Sequence, residues 1–185
     1  MNRTMKKQPK RMMNFRELNR FYFVFIALLT LLAVCATPAC VSVNIGAKAP
    51  GKSKGVTYVA PTAPFESLSD TSADSAWQNK RNGNSISFYS SCNDPSDPPL
   101  EAVSKDLFND MTELKVIRQE STPFNGRESL NMEVEGKIDG VDTRIRSLVF
   151  KKNDCIYTLS FIGLPKSFEQ DRARFESFVR SFQAP

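Results

Sequence analysis

Three two-residue turn signals constrain the fold of this chain more than any other feature. Each stands between two segments in which apolar and polar residues alternate. The three pairs are Asn82-Gly83, Asn125-Gly126 and Asp139-Gly140. Such pairs favour the type I′ turn of a β-hairpin, because that turn requires a positive φ angle at both central residues. The chain is therefore predicted to form neighbouring antiparallel strands.

About six strands are predicted around these turns and a fourth turn at Asn153-Asp154. The last strand, 155–162, is apolar on both faces, so we expect it in the middle of the sheet and covered on both sides. The other predicted strands are 76–80, 85–90, 116–124, 127–138 and the segment between Gly140 and Asn153.

Two segments instead carry apolar residues at helical spacing. For the first helix, Asp97 is the predicted cap and Pro98 the first residue. Its predicted apolar positions are Leu100, Val103, Leu107 and Met111. The second helix is predicted to begin with a capping box of Ser167 and Gln170. Its apolar stripe comprises Phe168, Phe175, Phe178, Val179 and Phe182.

The resulting element order is ββαββββα. Hairpin connections make sequential strands antiparallel, and the two helices must cover the apolar faces of the sheet. The predicted fold class is therefore α+β, with an antiparallel sheet of about six strands packed by two helices. Residues 65–185 are predicted to form this domain.

The first 39 residues have the features of an export signal. Residues 1–20 hold seven Lys or Arg residues and one acidic residue, and residues 21–34 form an uncharged, apolar run. A basic start followed by a short apolar run and small residues is typical of a secretory signal peptide. An uncleaved membrane anchor is the alternative, although the run is shorter than the ~20 residues of a spanning helix. Residues 1–39 are predicted to be a lipoprotein signal peptide.

Two cysteines, Cys35 and Cys40, lie at the end of this signal. In a bacterial lipobox, a small residue precedes the cysteine that receives the lipid. Ala39 meets that requirement before Cys40, whereas the branched Val34 precedes Cys35. Cys40 is therefore the predicted lipid attachment site. Ordinary cleavage nearby, which would release a soluble secreted protein, is the alternative.

The segment 40–64 is rich in Gly, Lys, Pro and Ala and has little apolar periodicity. It is predicted to be a flexible tether.

Two further cysteines, Cys92 and Cys155, lie within the predicted domain. Exported proteins fold in an oxidising compartment, so these two are expected to form a disulfide, with two free thiols as the alternative.

The sequence disfavours catalysis and nucleic-acid binding. The chain contains no histidine, which removes the usual general base and the commonest metal ligand. Residues 40–185 hold 18 basic and 19 acidic residues, so their charge is nearly balanced. A surface on which positive and negative charges balance lacks the excess of positive charge that binds the phosphate backbone of a nucleic acid. We expect no enzyme activity, no cofactor, no metal and no nucleic-acid partner.

One group of charged residues is a candidate docking patch. Glu133 and Glu135 are predicted to share the solvent face of a strand, with Arg144 and Arg146 similarly spaced on the next. Such a cross-strand ladder stabilises a sheet surface or marks a docking site. If a helix covered this face instead, burial could shift the carboxylate pKa values, as at catalytic sites.

Four segments carry a family resemblance: ISFYSSC, FNGRESLNMEVEGKIDG, LVFKKNDCIYTLSFIG and FEQDRARFESFVRSF. Over residues 65–183 the chain resembles the PsbP-like fold, which is shared by an extrinsic subunit of the oxygen-evolving complex, certain Ran-binding import factors and DcrB-type envelope lipoproteins. With CVSVNIG included, it looks like a group of uncharacterised bacterial lipoproteins whose two cysteines match Cys92 and Cys155. This superfamily has no shared catalytic motif, so the resemblance implies no catalytic residue.

The resemblance implies a non-catalytic binding or assembly accessory of the cell envelope, tied to a membrane by its N-terminal lipid and serving an envelope protein partner. Val41 is not an inner-membrane retention residue, which implies the periplasmic face of the outer membrane. The alternative is a periplasmic carrier of a small apolar ligand. This alternative is suggested by the many phenylalanines of the last helix, together with Phe150 and Phe161.

Overall fold

Seven strands of the chain pair into one antiparallel sheet in the order β1-β2-β3-β7-β6-β5-β4. This computed structural model describes residues 50–69 and 71–185. The strands are β1 Phe65–Ser67, β2 Ser75–Asn79, β3 Ser85–Cys92, β4 Thr112–Phe124, β5 Arg127–Ile138, β6 Val141–Lys152 and β7 Cys155–Gly163. The helices in the described part are α1 Leu100–Asp106, α2 Pro165–Phe168 and α3 Arg172–Ser181. The predicted α+β class is confirmed. The additional strand is the short β1.

Two of the predicted type I′ turns are present. Asn125 and Gly126 have φ angles of 51° and 74°, and Asp139 and Gly140 have 50° and 78°. The β2–β3 connection differs, because only Gly83 of the Asn82-Gly83 pair has a positive φ. That loop runs over residues 80–84, and the asparagine side chains in it bind elsewhere in the fold.

Strand β7 lies in the middle of the sheet, between β3 and β6, as predicted. On one face, Tyr157, Leu159 and Phe161 are fully buried beneath α2 and α3. On the other face, Phe108 and Met111, which follow α1, pack against Val134 and Ile145. The two faces therefore have separate apolar clusters, and the larger one contains the aromatic residues.

The first helix is shifted from its prediction. It begins at Leu100, with Pro99 in the N-cap position, while Asp97 has a φ of 36° and pairs with Lys151. The capping role predicted for Asp97 is therefore wrong. Leu107, predicted to face the core, is 37% exposed, whereas Ser104 is fully buried. The helix ends before Phe108 and Met111, so turns rather than helical spacing bring these two side chains into the core.

The last helix is broken into α2 and α3. Asp171 lies at the break with φ −120° and ψ 4°. The predicted capping box is absent, because the Ser167 hydroxyl donates to Asn84 Oδ1 and to the Leu164 carbonyl, each at 3.3 Å. The predicted stripe is buried at Phe168, Phe175, Phe178 and Phe182. Tertiary hydrogen bonds thus override the local capping signal without changing the apolar face.

Residues 50–59, here called the strap, lie against the domain. Gly51 and Cys92 exchange two backbone hydrogen bonds, of 3.0 and 2.8 Å, and Thr57 pairs in the same way with Gln183. The Tyr58 ring lies 5.1 Å from Phe88 and 5.6 Å from Phe178. The flexible tether predicted over 40–64 is therefore wrong for the strap, because a few well-placed contacts order a segment that lacks apolar periodicity.

The predicted signal peptide 1–39, Cys40 and the first part of the predicted tether lie outside the described residues. Among residues 50–69 and 71–185, no helix combines the length and the apolar character needed to cross a bilayer.

The predicted disulfide joins Cys92 and Cys155. These residues lie directly opposite each other on β3 and β7, with their Cα atoms 4.0 Å apart. They are 63 residues apart in the chain, so the bond closes a long loop. Both cysteines belong to the larger apolar cluster, and Cys92 also pairs with Gly51 of the strap.

Replacing both cysteines by serine should lower the free energy of unfolding by about 4 kcal/mol, because the unfolded chain regains the entropy of a 63-residue loop. Urea titration followed by circular dichroism measures this change. Reduction of the wild-type chain serves as a matched control and should give a similar loss. A loss below about 1 kcal/mol in both would contradict a structural role for the bond.

Candidate functional site

The four residues of the predicted docking patch lie side by side in the sheet. Glu133 is directly opposite Arg146, and Glu135 is opposite Arg144. Their face of the sheet is the one covered by α2 and α3, and Glu133 is only 4% exposed. The predicted cross-strand pairing is therefore present, but Glu133 does not lie on an open solvent face.

Glu133 is held by two arginines. Arg172 of α3 donates from Nη1 to Oε2 at 2.9 Å and from Nη2 to Oε1 at 2.8 Å. Arg144 donates from Nε to Oε1 at 2.7 Å. The first is a bidentate pair, the strongest common geometry for a carboxylate. Glu133 therefore joins strands β5 and β6 to the last helix.

Further carboxylates surround these arginines. Glu169 accepts from Arg172 Nε and Nη2, each at 2.6 Å, and lies 3.5 Å from Arg144. Arg146 donates to Glu176 of α3 at 3.0 Å. The cluster thus continues along the sheet–helix boundary. Sequence reasoning missed Arg172 and Glu169, whose three-residue spacing is also that of an ordinary surface pair on a helix.

Two phenylalanine rings pack against the arginines of this charged cluster. The Arg144 and Arg172 guanidinium groups lie 5.1 and 5.3 Å from the centre of the Phe168 ring. Arg146 lies 5.9 Å from the centre of Phe175. Cations at this distance from a ring are stabilised by its negative face. The apolar stripe of the last helix therefore positions the arginines as well as filling the core.

Glu133 is held as an anion at neutral pH. Hydrogen bonds from Arg172, together with those from Arg144, overcome burial and lower the pKa of Glu133 to about 2. Separate hydrogen bonds from Arg172 lower the pKa of Glu169. A general acid or base working near neutral pH needs a pKa shifted the other way, toward 7. This geometry stabilises the packing of α3 on the sheet and does not prepare a proton transfer.

A second polar cluster surrounds Asp171 at the α2–α3 break. Asp171 is 2% exposed, and its Oδ2 accepts from the side-chain amides of Asn79, Asn82 and Asn84 at 2.9, 2.8 and 2.9 Å. Burial raises the pKa of Asp171, but the three amide hydrogen bonds outweigh it and the pKa is lowered. The cluster fastens the β2–β3 loop to the last helices. The spacing of these three asparagines in the sequence did not predict the cluster.

A cleft of about 680 Å³ opens beside the disulfide. Its wall includes Cys155 and residues of both charges. The basic ones are Arg127, Lys151 and Lys152, and the acidic ones are Asp94, Asp97, Glu128 and Asp154. Lys151 is paired with Asp97, and the Lys152 ammonium group donates to the Ala184 carbonyl at 2.8 Å. Arg127, Glu128 and Asp154 are exposed. The cleft can therefore accept a polar ligand that carries both charges.

The phenylalanines that motivated the ligand-carrier alternative pack against other rings. Phe150 is fully buried and stacks on Tyr157 at 4.9 Å, and Phe161 lies 4.3 Å from Phe168. These contacts account for their burial through core packing. In the described part of the chain, no group of three or more His, Cys, Asp or Glu residues is placed to hold a metal ion.

No family model and no curated protein matches the chain. Solved structures do match it, among them two with a TM-score above 0.5. The solution structure of cyanobacterial PsbP (CyanoP) from Synechocystis sp. PCC 6803 is 11% identical, has a TM-score of 0.52, and is matched over 80% of this chain and 98% of CyanoP. LpqN of Mycobacterium tuberculosis is 10% identical, has a TM-score of 0.54, and is matched over 76% of this chain and 88% of LpqN.

The chain has a PsbP-like fold. The resemblance noted in the sequence is therefore confirmed for the fold. At such low identity the likeness extends to the architecture alone, so no binding or reactive residue of CyanoP or LpqN is transferred to this PsbP-like domain.

Replacing Glu133 with glutamine should lower the free energy of unfolding by about 3 kcal/mol at pH 7, because two arginines lose their shared carboxylate. The folded pKa of about 2 lies below the ordinary value of 4.5, so this stabilisation is complete above 4.5 and is lost as the pH falls toward 2. From pH 7 to 3 the wild-type chain should therefore lose about 2 kcal/mol more than the variant.

Urea titrations at both pH values measure these differences. The matched control is Glu135→Gln, which removes a carboxylate that lies 3.3 Å from Arg144. Its effect at pH 7 should stay below about 1 kcal/mol. Equal effects of the two substitutions would contradict the role given to Glu133.

Proposed function

We propose that the chain is a lipid-anchored protein of the cell envelope that serves as a non-catalytic binding or assembly module. The observation that carries this proposal is the Cys92–Cys155 disulfide between two central strands. Such bonds persist in oxidising compartments outside the cytosol. Together with the export signal in residues 1–39, the disulfide supports an extracytoplasmic address.

The non-catalytic part of the proposal is supported by the arrangement of the charged residues. Among the described residues, the acids Glu133 and Asp171 are more than 90% buried, have lowered pKa values and accept several hydrogen bonds from the fold itself. Groups engaged in this way position secondary structure. The exposed, mixed charges of the cleft are better placed to meet a partner.

The anchoring part of the proposal rests on Cys40 and the small Ala39 before it. LpqN, which has a similar fold, is described as involved in cell envelope biogenesis in its own organism. An envelope role is proposed here for this chain too, with the periplasmic face of the outer membrane as the site of anchoring.

Cells that express the chain and are fed a radiolabelled fatty acid should label it, and Cys40→Ser should abolish the label. Cys35→Ser is the matched control and should leave the label unchanged, because Val34 makes Cys35 a poor lipobox cysteine. Gel autoradiography of the immunoprecipitated chain provides the readout. Label retained by Cys40→Ser would refute anchoring at that residue.

A further inference from the structure

The start of the strap, the disulfide and the cleft beside it all lie at one end of the sheet. Gly51, where the strap joins the fold, pairs with Cys92, and Cys92 is bonded to Cys155 in the wall of the cleft. The C-terminus lies there too, because Asn153, also in the cleft wall, donates to the Pro185 carbonyl at 2.8 Å. We call this the cleft end. The Asp139-Gly140 turn and the β2–β3 loop lie at the opposite end.

The strap makes the connection to a lipid on Cys40 short. Eleven residues, 40–50, precede Gly51. In any conformation they span at most ~40 Å, given a maximum of about 3.6 Å per residue. Strand β3, at whose end the strap joins the sheet, has 8 residues and is about 27 Å long at ~3.4 Å per residue. A flexible connection of these eleven residues has a mean end-to-end distance of only about 18 Å. The opposite end of the sheet can therefore touch the bilayer only when the connection is stretched well beyond that distance, and stretching costs conformational entropy.

The charges of the cleft end match the surface of a zwitterionic bilayer. Arg127 offers a planar donor to a phosphate group. Glu128 and Asp154 offer acceptors to an ammonium group. All three are exposed and line the same cleft. A headgroup that carries only a phosphate would pair with Arg127 but would offer no cation to Glu128 and Asp154.

From this placement we propose that the cleft end is the membrane-facing surface of the anchored domain, and that the cleft binds the phosphate and ammonium groups of a zwitterionic phospholipid headgroup. This inference rests on the proposed anchoring at Cys40. The opposite end, with the β2–β3 loop, then points away from the bilayer.

The test places a photo-crosslinking benzophenone amino acid at one of two exposed positions in the full chain: Pro95 in the cleft wall, or Arg81 in the β2–β3 loop. The lipidated proteins are purified from membranes and reconstituted in vesicles with equal amounts of phosphatidylethanolamine and phosphatidylglycerol. After irradiation, mass spectrometry identifies the adducts. We expect lipid adducts from position 95 and none from position 81.

The adducts should favour phosphatidylethanolamine about tenfold, the ratio that one charge-assisted hydrogen bond provides. Adding Glu128→Gln to the Pro95 protein should reduce that ratio, because it removes an acceptor for the ammonium group. Equal lipid adducts from both positions, protein adducts in place of lipid at position 95, or a preference for phosphatidylglycerol would each overturn the inference.

The failure of the inference and that of the proposed function are distinguishable. A chain that carries fatty acid at Cys40 but crosslinks lipid equally from both positions retains its anchor and loses the proposed orientation. A chain without fatty acid loses the anchor itself. Inserting 20 Gly and Ser residues after Ala47 provides a length control, since the longer connection should abolish the difference between positions 95 and 81.

Discussion

The fold depends on the packing of one side chain, Phe182, which directly follows the last helix. Its ring is fully buried and lies within about 6 Å of five other aromatic rings. These rings belong to the strap, to strands β3, β6 and β7, and to α3 itself: Tyr58, Phe88, Phe150, Tyr157 and Phe178. Aromatic burial on this scale dominates the energetics of a small core. Phe182 thus joins the strap, at the start of the described chain, and the C-terminal segment in one core.

The two buried polar clusters determine where the last helices lie on that core. Asp171 binds the three asparagines of the β2–β3 hairpin and loop, and Glu133 binds Arg172 and Arg144. Buried ion pairs are weak contributors to stability when compared with apolar packing, but leaving one partner alone is costly. Such clusters therefore specify one arrangement of α2 and α3 among the several that an aromatic stripe alone would permit.

The order of strands and helices along the chain could be predicted from the sequence, but the long-range polar contacts and the strap could not. The turns at Asn125-Gly126 and Asp139-Gly140 were predictable, because their conformation follows from local backbone preference. The helix break at Asp171 was not, since it depends on asparagines about 90 residues away. Glu133 and Arg144 were found as neighbours, but Arg172 reaches them only after the helix packs. The strap was missed because its contacts involve isolated residues and backbone atoms.

The central claim is that the strap belongs to the folded domain and so shortens the connection to the predicted anchor. Hydrogen exchange by NMR tests it at the amides of Gly51 and Thr57, which donate to the carbonyls of Cys92 and Gln183. The account predicts exchange about 100-fold or more slower than in an unstructured peptide, because these amides must wait for the strap to open. Exchange at the rate of a free peptide, with β7 amides still protected, would contradict it.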